Sequence, residues 1–350
     1  MIPNNTLKNV YLNRTSAFLP NTPVGNDAIE AVLGMAGELP SRVRRMILRS
    51  NGIQTRHYAI DPDSRRATHT NAELAAEAVR RLFAQGIKPE DITSLSCATS
   101  YPDQTMPGHG VMVHGLSDMP PCETVSLAGV CVSGMAAMKY AYQAVKTGEH
   151  AAAIAVASEN ASAIMRGEIF QSETDFRLLH HATPEIGFEK DFLRWMLSDG
   201  AGAALLADRP VAGSLNFKIH WIDLLSYANE MPVCMYAGGE VGQGGEWLSW
   251  KDVDADECAE RSLMAVKQDV KLLNENVIAY TAEKPLRRLI AKHGLRSDEI
   301  DWFLPHYSSG FFRNRLADGL AAAGLPIAEE KWFTNLPYNC LLYTSPSPRD

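Results

Sequence analysis

Residues 123–148 read ETVSLAGVCVSGMAAMKYAYQAVKTG, and the apolar run AAAIAVAS follows at residues 151–158. The stretch 123–127 has the composition of a strand, Ser133–Thr147 repeats apolar residues at helical spacing and is stopped by Gly148, and residues 151–158 form the continuous apolar run of a buried strand. A thiol, Cys131, stands at the sharpest turn of this strand, turn, helix and strand series. Upstream, Thr70 and Glu73 have the spacing of a capping box. Leu74, Ala75, Ala78, Val79 and Leu82 then share one helix face, Gly86 stands where the helix should stop, and a strand-like run follows at 93–99. Downstream come the glycine-rich segment Asp199-Gly200-Ala201-Gly202, a helical pattern over 257–276, and strand-like Trp302-Phe303-Leu304 leading to Pro305-His306. Short apolar runs alternating with helices predict an α/β protein.

Composition bounds what the chain can be. With 350 residues, 46% hydrophobic and 21% charged, it has globular composition and length for two domain-sized units. The first 21 residues offer no continuous apolar segment of a secretory signal, and no run reaches the ~18 apolar residues of a membrane span, so a cytoplasmic protein is expected. The six cysteines form no CxxC pair and are too sparse for a disulfide framework, so reduced thiols are expected. A net charge of −8 argues against nucleic-acid binding, although Arg42, Arg44, Arg45, Arg49 and Arg56 fall close together. His109 with His114, and the adjacent His180-His181, lack the spacing of a zinc motif, and Gly238 to Gly245 does not open a helix as a nucleotide loop would.

Two residues carry candidate chemistry. In Ala128-Gly129-Val130-Cys131-Val132-Ser133-Gly134, glycines permit a tight bend and the thiol precedes a helix. Helix N–H groups and the helix dipole there would lower the thiol pKa and strengthen the nucleophile. Taken alone, a cysteine among small apolar residues is more often a packed core residue, as Cys97 in mid-strand is expected to be. His306 follows a strand, in a loop where imidazole can reach a ligand.

The order and separation of Ala-Gly-Val-Cys131-Val-Ser-Gly, Ser198-Asp199-Gly200-Ala201-Gly202-Ala203-Ala204 and Leu304-Pro305-His306 resemble ketoacyl synthase III-like condensing enzymes of the thiolase superfamily. The segment Gly52-Ile53-Gln54-Thr55-Arg56-His57 is similar to their early Gly-Ile-Arg-Thr-Arg-His. The resemblance implies that Cys131 takes an acyl group as a thioester. It implies that His306 helps bind a malonyl thioester and stabilise the enolate formed on loss of CO2. The reaction would be decarboxylative Claisen condensation in fatty-acid or polyketide-type biosynthesis. Phe18-Leu19-Pro20-Asn21 and Leu48-Arg49-Ser50-Asn51-Gly52 resemble the dialkylresorcinol and aryl-polyene branch. No cofactor is expected, the substrates being acyl and malonyl thioesters of carrier protein or CoA. The partners implied are acyl carrier protein and a second copy of the chain.

The chain departs from the family pattern in several places. The family's Gly-Asn-Thr/Ser loop is missing, and neither Asn335 nor Asn339 is assigned to its role. The oxyanion-hole glycine of the final strands is also missing, so impaired catalysis is expected. Residues 341–350, with their Ser-Pro-Ser-Pro run, read as a non-native tail on a chain cut short. Met46 and Ser50 stand where CoA-using members place Trp and Arg. Arg44, Arg45, Arg49, Arg313 and Arg315 are candidate docking charges for an acidic carrier protein. Met106, before Pro107, matches the position that lines the partner's acyl pocket in related dimers.

The expected fold is the five-layered αβαβα thiolase-like arrangement of two similar halves, incomplete at the C-terminus. Residues 1–190 would form the half carrying the nucleophile and 191–340 the second half. A non-catalytic ketosynthase partner subunit, another acyltransferase of the superfamily and a papain-like hydrolase are the competing readings. The first generally lacks the cysteine that is present here, and the last places its cysteine in a different local sequence.

Overall fold

A computed structural model describes residues 7–334 except 38–39, 42, 180–185 and 243, together with Pro337. Strands β1 (Tyr11–Phe18), β2 (Ser94–Thr99), β3 (Glu123–Ala128), β4 (Ala152–Glu159), β5 (Gly200–Ala207) and β6 (Phe217–Lys218) form one mixed sheet in the order β3-β2-β4-β5-β1-β6. β2 runs parallel to both β3 and β4, and β5 is antiparallel to β4 and β1. The sheet therefore draws on strands to either side of residue 190.

Around it lie α1 (Arg44–Asn51), α2 (Asn71–Phe83), α3 (His109–Leu116) and α4 (Ser133–Thr147). α2 begins with the expected capping box: Thr70 Oγ1 accepts from Glu73 N at 3.2 Å, and Glu73 Oε2 accepts from Thr70 N at 2.7 Å. The period-2 alternation of β4 explains why the sheet is covered on both faces. Ile154 and Val156 pack with Leu74, Val79 and Leu82 of α2, whereas Ala153, Ala155 and Ala157 pack with Ala137, Ala141 and Val145 of α4. Alanines on the α4 side let that helix sit close to the sheet. Cys131 lies in the turn two residues before α4.

α3 lies against the edge strand β3. A Cβ at Gly110 would stand 2.9 Å from the Val125 carbonyl oxygen, so the approach requires glycine there. The bend at Cys131 needs no such freedom, because neither Gly129 nor Gly134 has positive φ. This corrects the expectation that flanking glycines make the turn. The chain turns instead through Val130 to Val132, with Ser133 N donating to Val130 O at 3.2 Å.

The C-terminal half departs further from the sequence reading. Among the described residues the expected second sheet is limited to the ladders Met235–Tyr236 with Lys267–Gln268 and Gly239–Val241 with Trp247–Ser249, and Phe303 makes only an isolated parallel bridge with Trp332. The helix expected over 257–276 is two helices, Ala255–Glu260 and Val270–Ile278. Ser262 takes φ of 45°, which ends the first, and the Asp269 side chain caps the second by accepting from Leu272 N at 2.8 Å.

Candidate active site

The parallel strands β3, β2 and β4 point the same way, so their C-terminal ends form one rim. Thr99 lies opposite Ala128, three residues before Cys131, and Ala98 lies opposite Ala157, two residues before Glu159. Ligands in α/β sheets characteristically bind at such an end. Cys131 stands there two residues before α4 and is solvent-exposed, unlike the buried Cys97.

The electrostatics of Cys131 reverse the sequence expectation. Burial by the protein around this accessible recess pushes the thiol up to about 11, and the Glu159 carboxylate and then Cys234 add to the rise. The local helix start was expected to lower the pKa, but desolvation and a neighbouring negative charge outweigh it. The resting residue is a protonated thiol at neutral pH.

Glu159 ends β4, a strand with only its first residue not fully buried. It accepts from Ser100 N at 2.8 Å and Ser100 Oγ at 2.6 Å, and burial still pushes its carboxyl up to about 7. Asp199, fully buried at the start of β5, accepts from Ala59 N at 2.6 Å and Ser162 N at 2.8 Å, and also from Ser162 Oγ. Burial raises its pKa to about 6. Neither carboxylate had a role in the sequence reading. The signal available was an acidic residue closing an otherwise apolar buried strand at Glu159, and one opening the glycine-rich strand at Asp199.

His306 lies in the loop before the short turn Gly310–Phe312 and the helix Arg313–Ala322, rather than directly before a helix. Its ring is exposed, and the protein around it lowers its pKa by desolvation. The loop packs on residues from both sides of residue 190. Tyr307 packs against the cluster of Ile53, Met165, Leu193 and Met196 that also holds Met235, and a Cβ at Gly310 would lie 3.2 Å from Asn51 O. Met235 adjoins Cys234, whose thiol acts electrostatically on Cys131. Met235 and Tyr307, the neighbour of His306, thus pack against one cluster, and no hydrogen bond joins Cys131 to His306 among the described residues.

The arginines separate into different roles. Arg44 is engaged with Asp27 at 2.8 Å and Glu30 at 3.1 Å, and Arg313 with Glu329 at 3.0 Å. Arg315 donates to Asn274 O at 3.2 Å and lies over the Phe311 ring. Arg45 and Arg49 are exposed. Arg56, grouped with them by sequence proximity, is fully buried: it donates through Nε to Trp195 O at 2.9 Å and through Nη1 to Asn26 Oδ1 at 2.6 Å. Met106 is 81% exposed and so is no core residue.

Other candidate ligands are occupied or apart. His109 is buried, 3.2 Å from Ser158 Oγ, with its pKa lowered to about 4 by burial. His114 Nε2 lies 3.0 Å from Pro120 O. Glu123, Glu149 and His150 bring potential ligand atoms within 4.8 Å of one another at the surface, a group the sequence spacing did not suggest. Glu123 there already accepts from Tyr140 Oη at 2.5 Å. A cavity of about 400 Å³ includes Glu173, Lys190, Glu240 and Lys267 in its lining but neither Cys131 nor His306. Its ion pairs, Lys190–Glu173 at 3.0 Å and Lys267–Glu240 at 2.8 Å, suit it poorly to an alkyl chain. Asn335, Asn339 and the segment 341–350 lie outside the described residues, as do Arg42 and the His180-His181 pair.

The thiolase N-terminal domain profile matches residues 59–184, which span β2, β3, Cys131, α4 and β4. The chain is 27% identical over 328 residues to a beta-ketoacyl-[acyl-carrier-protein] synthase III of Sphingopyxis alaskensis, covering 91% of this chain and 82% of that protein. By these matches the chain is ketoacyl synthase III-like, with a thiolase-type N-terminal region. Solved structures agree on the fold of this ketoacyl synthase III-like chain. The 3-oxoacyl-(acyl carrier protein) synthase III of Pseudomonas aeruginosa PAO1 superposes with a TM-score of 0.66 at 16% identity, covering 95% of this chain and 85% of that one. A tetronic acid condensing enzyme superposes with a TM-score of 0.60 at 22% identity, covering 91% and 83%.

Proposed function

We propose that this condensing enzyme works through Cys131: the thiol attacks an acyl thioester, an acyl–Sγ bond forms, the donor's acyl–sulfur bond breaks, and the thiol proton leaves with the released thiol. A malonyl or 3-oxoacyl thioester then supplies the carbon nucleophile. With malonyl, loss of CO2 leaves an enolate that attacks the Cys131 thioester and returns the cysteine. His306, uncharged at neutral pH, is suited to donate a hydrogen bond to the thioester oxygen where the enolate charge develops. The observation that carries the reading is an accessible cysteine at the junction of β3 and α4, on the rim of three parallel strands.

The substrates come to the protein as thioesters of acyl carrier protein or CoA, and no metal or prosthetic group enters these steps. Exposed Arg45 and Arg49 fit an acidic carrier, and Arg44, Arg313 and Arg315 belong to the same docking assignment less directly because each already has a partner on this chain. Edge strand β3, exposed Met106 and the exposed apolar residues Val130, Val132 and Met135 support pairing with a second copy, in which Met106 would line the partner's acyl site. No helix among the described residues is long and apolar enough to cross a membrane, and a cytoplasmic location fits the thioester substrates.

The test is incubation with acyl and malonyl thioesters of acyl carrier protein, reading CO2 release and the 3-oxo product. Wild type should form both and Cys131→Ala neither. Product formation unaffected by Cys131→Ala would overturn the proposal.

A further inference from the structure

The cavity of about 400 Å³, whose lining includes neither Cys131 nor His306, has charges in its wall that the fold does not use up. Its wall combines the helix Gln171–Leu179, which packs against Ala255–Glu260, with the short ladders of the C-terminal half. Most of the charged groups there satisfy one another. Glu240 accepts from Lys267 Nζ at 2.8 Å and pairs with Arg261 at 2.5 Å, Arg261 also donates to Glu257 Oε1 at 2.8 Å, and Asp269 caps its helix by accepting from Leu272 N at 2.8 Å. Two groups of opposite sign remain. Lys190, only 8% exposed, stands 3.0 Å from Glu173 Oε2 and lies over the Phe170 ring at 5.5 Å. Its ammonium makes no other polar contact among the described residues, which leaves N–H donors unspent. Glu260, half-buried in the same wall, has no hydrogen bond or ion pair on its carboxylate among the described residues.

We propose that this cavity binds a small zwitterion, an amino acid with an apolar side chain, whose carboxylate takes the unspent donors of Lys190 and whose ammonium faces Glu260. A buried ammonium with idle donors and an unpaired carboxylate each carry a desolvation cost, and a ligand with both charges offsets the two together. A ligand with one charge offsets one and leaves the other facing it unpaired. A phosphate-bearing anion is disfavoured, because Glu173, Glu240, Glu260 and Asp269 stand in the wall against Lys190, Arg261 and Lys267. Phe176, Tyr236 and Val266 supply apolar surface for the ligand's side chain, and Tyr236 is itself held edge-on by Trp247 with ring centroids 5.5 Å apart. The volume lies within the range of small-molecule sites. The inference does not rest on the condensation reading, since neither of that reaction's proposed residues borders the cavity.

The test is isothermal titration calorimetry of the whole chain with L-phenylalanine and L-leucine, up to about 10 mM. Phenylacetate and phenethylamine, which keep one charge each, are the comparison probes. At least one amino acid should bind, and each single-charge probe should bind roughly tenfold or more weakly than phenylalanine. Glu260→Gln should weaken the amino acids by roughly tenfold and leave phenylacetate unchanged, whereas Lys190→Met should weaken the amino acids and leave phenethylamine unchanged. Near-UV circular dichroism checks the fold of each variant. Lys190→Met strands buried Glu173 without its cation, so Glu260→Gln, at a half-buried position, decides the matter if Lys190→Met does not fold. No binding of either amino acid, phenylacetate binding as tightly as phenylalanine, or folded Glu260→Gln binding as wild type would each overturn the proposal. Condensation plays no part in the readout, so failure of the Cys131 reading would leave this result standing.

Discussion

Asp199 Oδ2 accepts the backbone N–H of Ala59 at 2.6 Å, tying the first residue before β5 to the segment that follows Arg56. Its other oxygen accepts from Ser162 N at 2.8 Å, so one buried carboxyl joins three separate stretches of chain. Burial raises its pKa from 3.8 to about 6. Between those values the native carboxyl keeps a proton that the unfolded chain has released, so this group's contribution to stability falls as pH rises through the window. Asp199→Ala should cost about 3 kcal/mol or more at pH 4 and less at pH 7. Denaturant titrations at the two pH values check both the size and the sign.

The two kinds of arginine should respond differently. Charge reversal at exposed Arg45 and Arg49 should raise KM for a carrier-protein thioester by roughly three- to tenfold, with the effect shrinking as salt rises, and leave a small pantetheine thioester unaffected. Arg44→Glu should instead destabilise the protein, because it sets a like charge against Asp27 and Glu30. Steady-state kinetics at two ionic strengths, with a thermal melt of each variant, separates docking from structure.

His306→Ala tests the division of labour. If His306 serves the condensation step, the variant should still load an acyl group on Cys131 while condensation falls by about a hundredfold or more. Desolvation holds the imidazole pKa below its ordinary value, so wild-type condensation should show no loss from His306 deprotonation between pH 7 and 8. Single-turnover measurements of loading and of CO2 release distinguish the steps.

Local order made much of this site legible. The capping box at Thr70, the unbroken apolar run of β4 and the helix from Ser133 are set by neighbours within a few residues, and each appears where the sequence places it. What escaped depends on distant partners. Arg44 finds Asp27 and Glu30 across the turn before α1, and Arg56 turns inward to the carbonyl of Trp195, so sequence proximity alone suggested a basic patch that is only partly there. The Cys131 thiol has the same history: its helix start is local, but the burial that chiefly raises its pKa, and the charge of Glu159 from a strand on the far side of β2 that adds to the rise, come from distant parts of the chain. The apolar spacing over 257–276 could not show that Ser262 adopts positive φ and splits the helix.

The most direct test of the account is the mass of the Cys131 peptide after brief exposure to an acyl thioester in the absence of a malonyl donor. The account predicts one acyl adduct on Cys131, removed by hydroxylamine and absent from Cys131→Ala. An unmodified Cys131 with the acyl group on another residue, or no adduct while condensation proceeds, would contradict it.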